Sequence, residues 1–178
     1  MIDPRDSPTV SFSPLIRIDN RLVHGQILEA WIPFISASHI VVVNDDVADD
    51  PFRESIIKMA VPREIEIRIY NIEEFARNIT CENYTEKGIV LFCSIGDLML
   101  AYRFGFRFSS LNIGNVYNDD YVCQPTTSVS LSENNMQDLM LLSESGVMIE
   151  IRCVPRDKPV DFLDVVRQLD NSSHSQDI

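Results

Sequence analysis

The run Arg17-Ile18-Asp19-Asn20-Arg21-Leu22-Val23-His24-Gly25-Gln26 places a carboxylate (Asp19), a guanidinium (Arg21) and an imidazole (His24) close together along the chain. Imidazole is a nucleophile toward phosphorus at neutral pH and a competent leaving group afterwards. A planar guanidinium such as Arg21 can clamp phosphate oxygens with its fork of donors. Asp19 can orient the imidazole or hold Arg21 in place. Gly25 lets the backbone approach an anion closely, and a helix opening at Gln26 offers N–H groups and a positive dipole end. Taken alone, the same residues also suit a satisfied polar turn. The other histidines have weaker claims: His39 opens a strand and reads as structural, and His174 lies in the tail. There is no HExxH metal spacing, no GxGxxG, no Walker loop and no GxSxG elbow.

Positioning such a cluster requires a strand that ends at it and a helix that begins beyond it. Leu15–Asp19 is a short apolar strand, Asn20–Gly25 a polar turn, and Gln26 to about Ser36 a helix with Pro33 as a conflict inside it. His39–Val43 and Gly88–Cys93 read as buried strands, Ile65–Tyr70 as an exposed-face strand, and Val147–Cys153 as a further strand. Ser110–Ile113 and Thr127–Leu131 are shorter candidates around a long loop. Helices follow at Pro51 to about Ala60 with Asp50 as N-cap, after the capping-box pattern Asn71-Ile72-Glu73-Glu74, after Ser94 to about Phe104, at Ser132–Ser145, and at Val160–Leu169. Alternating strands and helices predict an α/β fold: a single layered domain with a mainly parallel central sheet and helices on both faces. Sites in such sheets form where strand C-termini meet helix N-termini, which is where Asp19 to Gln26 falls. The expected organisation is a flexible extension at 1–14, one domain at 15–169 and a disordered tail at 170–178.

At 178 residues, 45% of them hydrophobic, the chain has the material for one well-filled core. A net charge of −12 would repel nucleic-acid phosphates and anionic lipid, so neither is expected as a partner. No apolar run is long enough to span a bilayer, and Met1 to Pro14 lacks both a basic stretch and an apolar core, so the expected location is the cytoplasm, without membrane insertion. The four cysteines, Cys81, Cys93, Cys123 and Cys153, form no CxxC pair and read as buried free thiols.

The run RIDNRLVHGQ closely resembles the phosphohistidine loop of IIB components in the mannose/fructose/sorbose family of the bacterial sugar phosphotransferase system. The resemblance continues through Ala30-Trp31, VVVNDDVADD at Val41–Asp50, Lys58-Met59-Ala60, and Asn112-Ile113-Gly114-Asn115. It closes with IEIRCVPRDKPVD within Val147–Asp161, so it covers Leu15 to Asp164.

Such domains accept a phosphoryl group from a phosphohistidine on a IIA partner and pass it to a sugar entering through membrane IIC and IID partners. The resemblance implies that His24 is the phosphorylated residue and that Arg21, Asp19, Asn20, Gly25 and Gln26 surround it. Asn112, Gly114 and Asn115 would form a neighbouring loop at the same sheet edge. Transfer would proceed by two in-line steps with electrostatic positioning as the main catalytic device, and no metal or organic cofactor is implied. Two departures stand out. Position 20 is Asn where the family more often has Asp, and Val116–Thr127 (VYNDDYVCQPTT) holds no basic residue where family members carry lysines. That acidic stretch keeps open a second reading, a regulatory module whose phosphorylation state signals to another protein without sugar transport. A phosphohydrolase using His24 transiently is a third, opposed by the lack of a second acid/base near His24. Arg152 and Arg156 are further candidates for partner contact.

Overall fold

The computed structural model describes residues 14–79 and 87–173. Strand β1 (Leu15–Asp19) leads through the loop bearing His24 into a helix over 25–35, made of a π-helical turn (Ile27–Trp31) and α1 (Ile32–Ile35). Next come β2 (His39–Val43), α2 (Asp45–Ala48), α3 (Pro51–Ala60), β3 (Glu66–Tyr70), α4 (Ile72–Asn78), β4 (Gly88–Phe92) and α5 (Ile95–Arg103). The chain continues with β5 (Ser110–Asn115), β6 (Cys123–Thr126), β7 (Val129–Leu131), α6 (Glu133–Glu144), β8 (Met148–Ile151), β9 (Val160–Asp161) and α7 (Phe162–Ser173). Seven strands form one sheet in the order β3-β2-β4-β1-β5-β8-β9, parallel throughout except for β9 against β8. β6 and β7 pair separately as an antiparallel ribbon.

Alternation along the strands sorts the core into two halves. Ile16, Ile18, Val41, Val43, Val90 and Phe92 enter one cluster, covered by α4, α5, α6 and α7. Ile40, Val42, Ile89 and Leu91 enter the other with Leu22, Ile27, Trp31 and Ile32. Helices therefore lie on both faces, as the alternating pattern predicts. Local chemistry fixes the helix starts. Asp50 accepts the Phe52 and Arg53 N–H groups at 3.0 and 3.1 Å, with Pro51 at the first helical position. Asn71 accepts from Glu74 N–H and Ser94 from Asp97 N–H, while Ser132 and Asn135 form a reciprocal capping box.

Several boundaries differ from expectation. The helix expected from Gln26 is not regular: Ile32 N–H bonds to Ile27 C=O, five residues back. The widened turn lies directly before Pro33, where a regular helix would demand a donor that proline lacks and would crowd its ring against a carbonyl. β5 runs through Asn115, so Asn112, Gly114 and Asn115 belong to a strand and not to a loop; the parallel pairing with β1, which sets Asp19 opposite Asn115, carries the ladder that far. β8 stops at Ile151, which leaves Arg152 and Cys153 in the following loop. Val160–Asp161 is a two-residue strand, and the final helix runs to Ser173, beyond the expected end at Leu169. α2 and β6 have no counterpart in the expected element list. Cys123 is buried, whereas Cys93 and Cys153 are half-buried; all three are free thiols. Cys81, His174, residues 1–13 and the end of the expected tail lie outside the described residues.

Candidate functional site

β1 sits mid-sheet between β4 and β5, and its connecting helix covers one face while α5 and α6 cover the other. A crevice at the C-terminal end of β1 follows from that change of side. Arg17, Asp19, Asn112 and Gly114 point to the face covered by Trp31, because they occupy the strand positions opposite in parity to Ile16, Ile18, Leu111 and Ile113.

Asp19 ends the strand and is fully buried. Its Oδ2 accepts from Arg17 Nη2 at 2.8 Å, His24 Nε2 at 3.1 Å and Arg21 Nη2 at 3.4 Å. Its Oδ1 accepts from the Arg21 backbone N–H and Nε, each at 3.2 Å. Burial by itself would push the carboxyl up, but hydrogen bonds from His24 and Arg21 and the charge of Arg17 outweigh it and hold Asp19 at about 2. The residue is therefore a carboxylate at any physiological pH.

The turn after Asp19 brings His24 back onto it. Leu22 N–H bonds to Asp19 C=O at 2.9 Å, and Leu22 adopts a left-handed φ of 54°, a strained conformation for a branched side chain, stabilised by burial in the core. His24 C=O then accepts the Ile27 and Leu28 N–H groups, opening the helix. The imidazole is 18% exposed, with Nε2 toward Asp19 and Nδ1 accepting the Gln26 N–H at a long 3.3 Å. A Cβ on Gly25 would meet nothing within 4 Å, so the space beside this helix start is open. Arg21, about half exposed, spans from Asp19 to Gln26 Oε1, 2.8 Å away. Asn20 pairs with Asn115 through both side chains and through its backbone N–H to Asn115 C=O.

The cluster expected from sequence is thus assembled: Asp19, Arg21, His24, Gly25 and Gln26 converge, and Asn20 and Asn115 lock the loop to β5. Asn112 is placed differently. It is buried beneath the loop, accepts from Arg17 and donates to Glu150 at 2.8 Å. The sequence reading passed over Arg17, which is 0% exposed and lies at the centre of the network. A charge flanked by Ile16 and Ile18 in a strand buried on both faces was the available signal, since such a charge must be paired inside the core. Arg152 lies over Trp31 and Phe34, with its Cζ 5.7 and 5.5 Å from the ring centroids. Arg156 is exposed and lines a groove of about 750 Å³ that runs beside Gly25, Gln26, Pro33, Phe34 and Pro155. No group of three or more His, Cys, Asp or Glu side chains suited to a metal occurs among the described residues. No helix among them is long and apolar enough to cross a membrane.

Comparison with known proteins gives the family of the chain. Residues 13–177 match the family model described as the PTS system sorbose subfamily IIB component. The chain is 31% identical over 156 residues to the PTS system fructose-specific EIIB component of Bacillus subtilis, covering 87% of this chain and 96% of that one. It is 30% identical to the sorbose-specific EIIB component of Klebsiella pneumoniae, covering 86% and 94%. The crystal structure of the IIBSor domain of the Klebsiella pneumoniae sorbose permease superposes with a TM-score of 0.76 at 29% identity, over 88% of this chain and 98% of that one. The chain belongs to the sorbose subfamily of IIB components of the sugar phosphotransferase system.

Proposed function

We propose that this chain is a phosphocarrier in which His24 accepts a phosphoryl group from a phosphohistidine on a IIA protein and passes it to a sugar entering through membrane IIC and IID partners. The observation that carries this reading is the 3.1 Å contact between His24 Nε2 and the buried Asp19 carboxylate. An ionised carboxylate accepts and cannot donate, so Nε2 holds the ring hydrogen and Nδ1 keeps its lone pair. Nδ1 faces the start of the 25–35 helix, where the Gln26 N–H points at it and the positive end of the helix dipole favours an anion.

In the first step the Nδ1 lone pair bonds to phosphorus while the donor's N–P bond breaks, its electron pair returning to the donor ring. Nε2 keeps its hydrogen, and the positive charge that develops on the imidazole faces Asp19. Arg21 is within reach of the phosphoryl oxygens by pivoting from Gln26. In the second step a sugar hydroxyl oxygen bonds to phosphorus, the N–P pair returns to Nδ1, and the hydroxyl hydrogen leaves as a proton. Positioning and fixed charge supply the catalysis, as is general for phosphoryl transfer. On this reading residues 15–169 form the transfer unit, and the chain works in the cytoplasm.

The test is phosphoryl transfer from phosphoenolpyruvate through the general phosphotransferase proteins and a IIA partner, read by intact mass. The wild type should gain one phosphoryl group and His24→Ala none. No gain from a demonstrably phosphorylated cognate IIA would overturn the reading. A regulatory role without sugar transport is the second reading, supported by the exposed Tyr117, Asp119, Asp120, Tyr121 and Val122 just beyond β5. Discharge of the phosphorylated chain by sugar in membranes bearing IIC and IID separates the two: transport predicts it, regulation does not.

A further inference from the structure

We infer that Arg17 is a positioning residue for the chemistry at His24: it fixes the Asp19 carboxylate so that the imidazole holds its hydrogen on Nε2, and Gly114 is the position that gives it room. This rests on the phosphocarrier reading above. Arg17 never reaches the open side of the site, so it acts only through Asp19.

The guanidinium is held from several directions at once. Nη1 donates to Asn112 Oδ1 on β5 and to Arg152 C=O at 3.0 Å. Nη2 donates to Asp19 Oδ2 at 2.8 Å and to Cys153 C=O at 3.0 Å. Its Cζ lies 4.9 Å from the centroid of Trp31, whose Nε1 donates to that same Cys153 carbonyl at 3.0 Å. Three segments (β5, the loop after β8, and the first helix) therefore fix where Nη2 sits, and Nη2 fixes Asp19 Oδ2. The oxygen so fixed is the one His24 Nε2 meets. Arg21, the other cation on Asp19, is about half exposed and shared with Gln26, so it cannot hold the carboxylate alone. A lysine at position 17 would bring the charge but not the planar fork that satisfies acceptors on two sides.

Gly114 completes the case. A Cβ there would fall 1.7 Å from Nη2 and 1.9 Å from Cζ of Arg17. The arginine tip is enclosed by the acceptors just named, so a methyl group must push the guanidinium away from Asp19. That displacement needs no change to Arg17, Asp19 or His24 themselves.

The experiment uses the full chain as Arg17→Lys and, separately, Gly114→Ala, with circular dichroism to verify the fold. One readout is the protonation pattern of the His24 ring nitrogens by ¹⁵N-edited NMR in alkaline solution, which needs no partner protein. The other is the rate of phosphoryl uptake from phosphorylated IIA. The wild type should show Nε2–H alone. Both variants should show a mixture of tautomers and a rate lower by about 100-fold, the scale set by small misplacements of a reacting group. In an Asp19→Asn background, Arg17→Lys should slow uptake no further. Folded variants with the wild-type tautomer overturn the inference, whether or not the rate falls. Should Arg17→Lys fail to fold, Gly114→Ala decides by the same readouts. Failure of the phosphocarrier reading is seen separately, as a wild type that gains no phosphoryl group; the tautomer readout still judges Arg17.

Discussion

Two ends of the same sheet use one packing device for opposite purposes. At the N-terminal end of β2, the His39 ring lies over Gly88 of β4, where a Cβ would fall 2.2 Å from Nε2. At the C-terminal end of β1, the Arg17 guanidinium lies over Gly114 of β5, where a Cβ would fall 1.7 Å from Nη2. Each glycine admits a large polar side chain into the core. His39 is 1% exposed and shares a hydrogen bond with Ser38 Oγ, which also donates to the Lys87 carbonyl. Arg17 is equally buried, but it leads through Asp19 to a partly exposed imidazole beside an open helix start. A buried polar residue is structural or functional according to where its hydrogen-bond chain ends, and burial alone does not tell them apart.

That contrast can be broken at either end. The largest effect belongs to His24→Ala, which should abolish phosphoryl incorporation by intact mass while the domain still folds, at a cost of about 1–3 kcal/mol for the hydrogen bond lost to the buried Asp19 carboxylate. Acid should act next, through Asp19 at the β1 end. Asp19 is lowered in the fold from an ordinary 3.8 to about 2, so its stabilisation is complete above pH 4 and lost as the pH falls through 2. About 2–3 kcal/mol should disappear over that window. Urea unfolding at stepped pH should show this loss in the wild type and a smaller one in Asp19→Asn. Gly88→Ala should destabilise by about 1–3 kcal/mol through overpacking against His39, with the phosphoryl-transfer rate unchanged. A loss of transfer in folded Gly88→Ala would erase the distinction between the two ends. Smallest, Asp50→Ala should cost about 1 kcal/mol through the lost cap of α3, read as a lower urea midpoint with normal transfer.

How far each part was legible follows from the range of the forces that shape it. β1 and β2 were readable to the residue, because an apolar run closed by Asp19 or Asn44 needs no distant partner to be recognised. The starts of α3, α4 and α5 were readable for the same reason, since Asp50, Asn71 and Ser94 cap within three residues. The loop from Asp19 to Gln26 was legible by its residue types and by family resemblance. Arg17 was not seen as a member of the site, because three of its four acceptors, Asn112, Arg152 and Cys153, lie about a hundred residues away or more. Gly114 was noticed only as part of a motif; its purpose appears once β5 is laid beside β1. β9, two residues long, owes its pairing to β8 and carries too little sequence to be recognised alone. The irregular first helix had a visible cause in Pro33, although the form of the accommodation depends on where Trp31 must land.

The π-helical turn Ile27–Trp31 has a consequence for how this segment tolerates change. A π-helical turn takes up one residue more than an α-helical turn over nearly the same rotation, so removing one residue from it would restore ordinary winding and leave the residues beyond it near their present azimuth. Pro33 would then meet a regular turn, in which its ring crowds the carbonyl four residues back. A further residue has no such slack and would turn Trp31 by about 100° away from the Cys153 carbonyl and Arg17. Deletion therefore costs the segment its room for a proline, whereas insertion costs the buried arginine its aromatic cover.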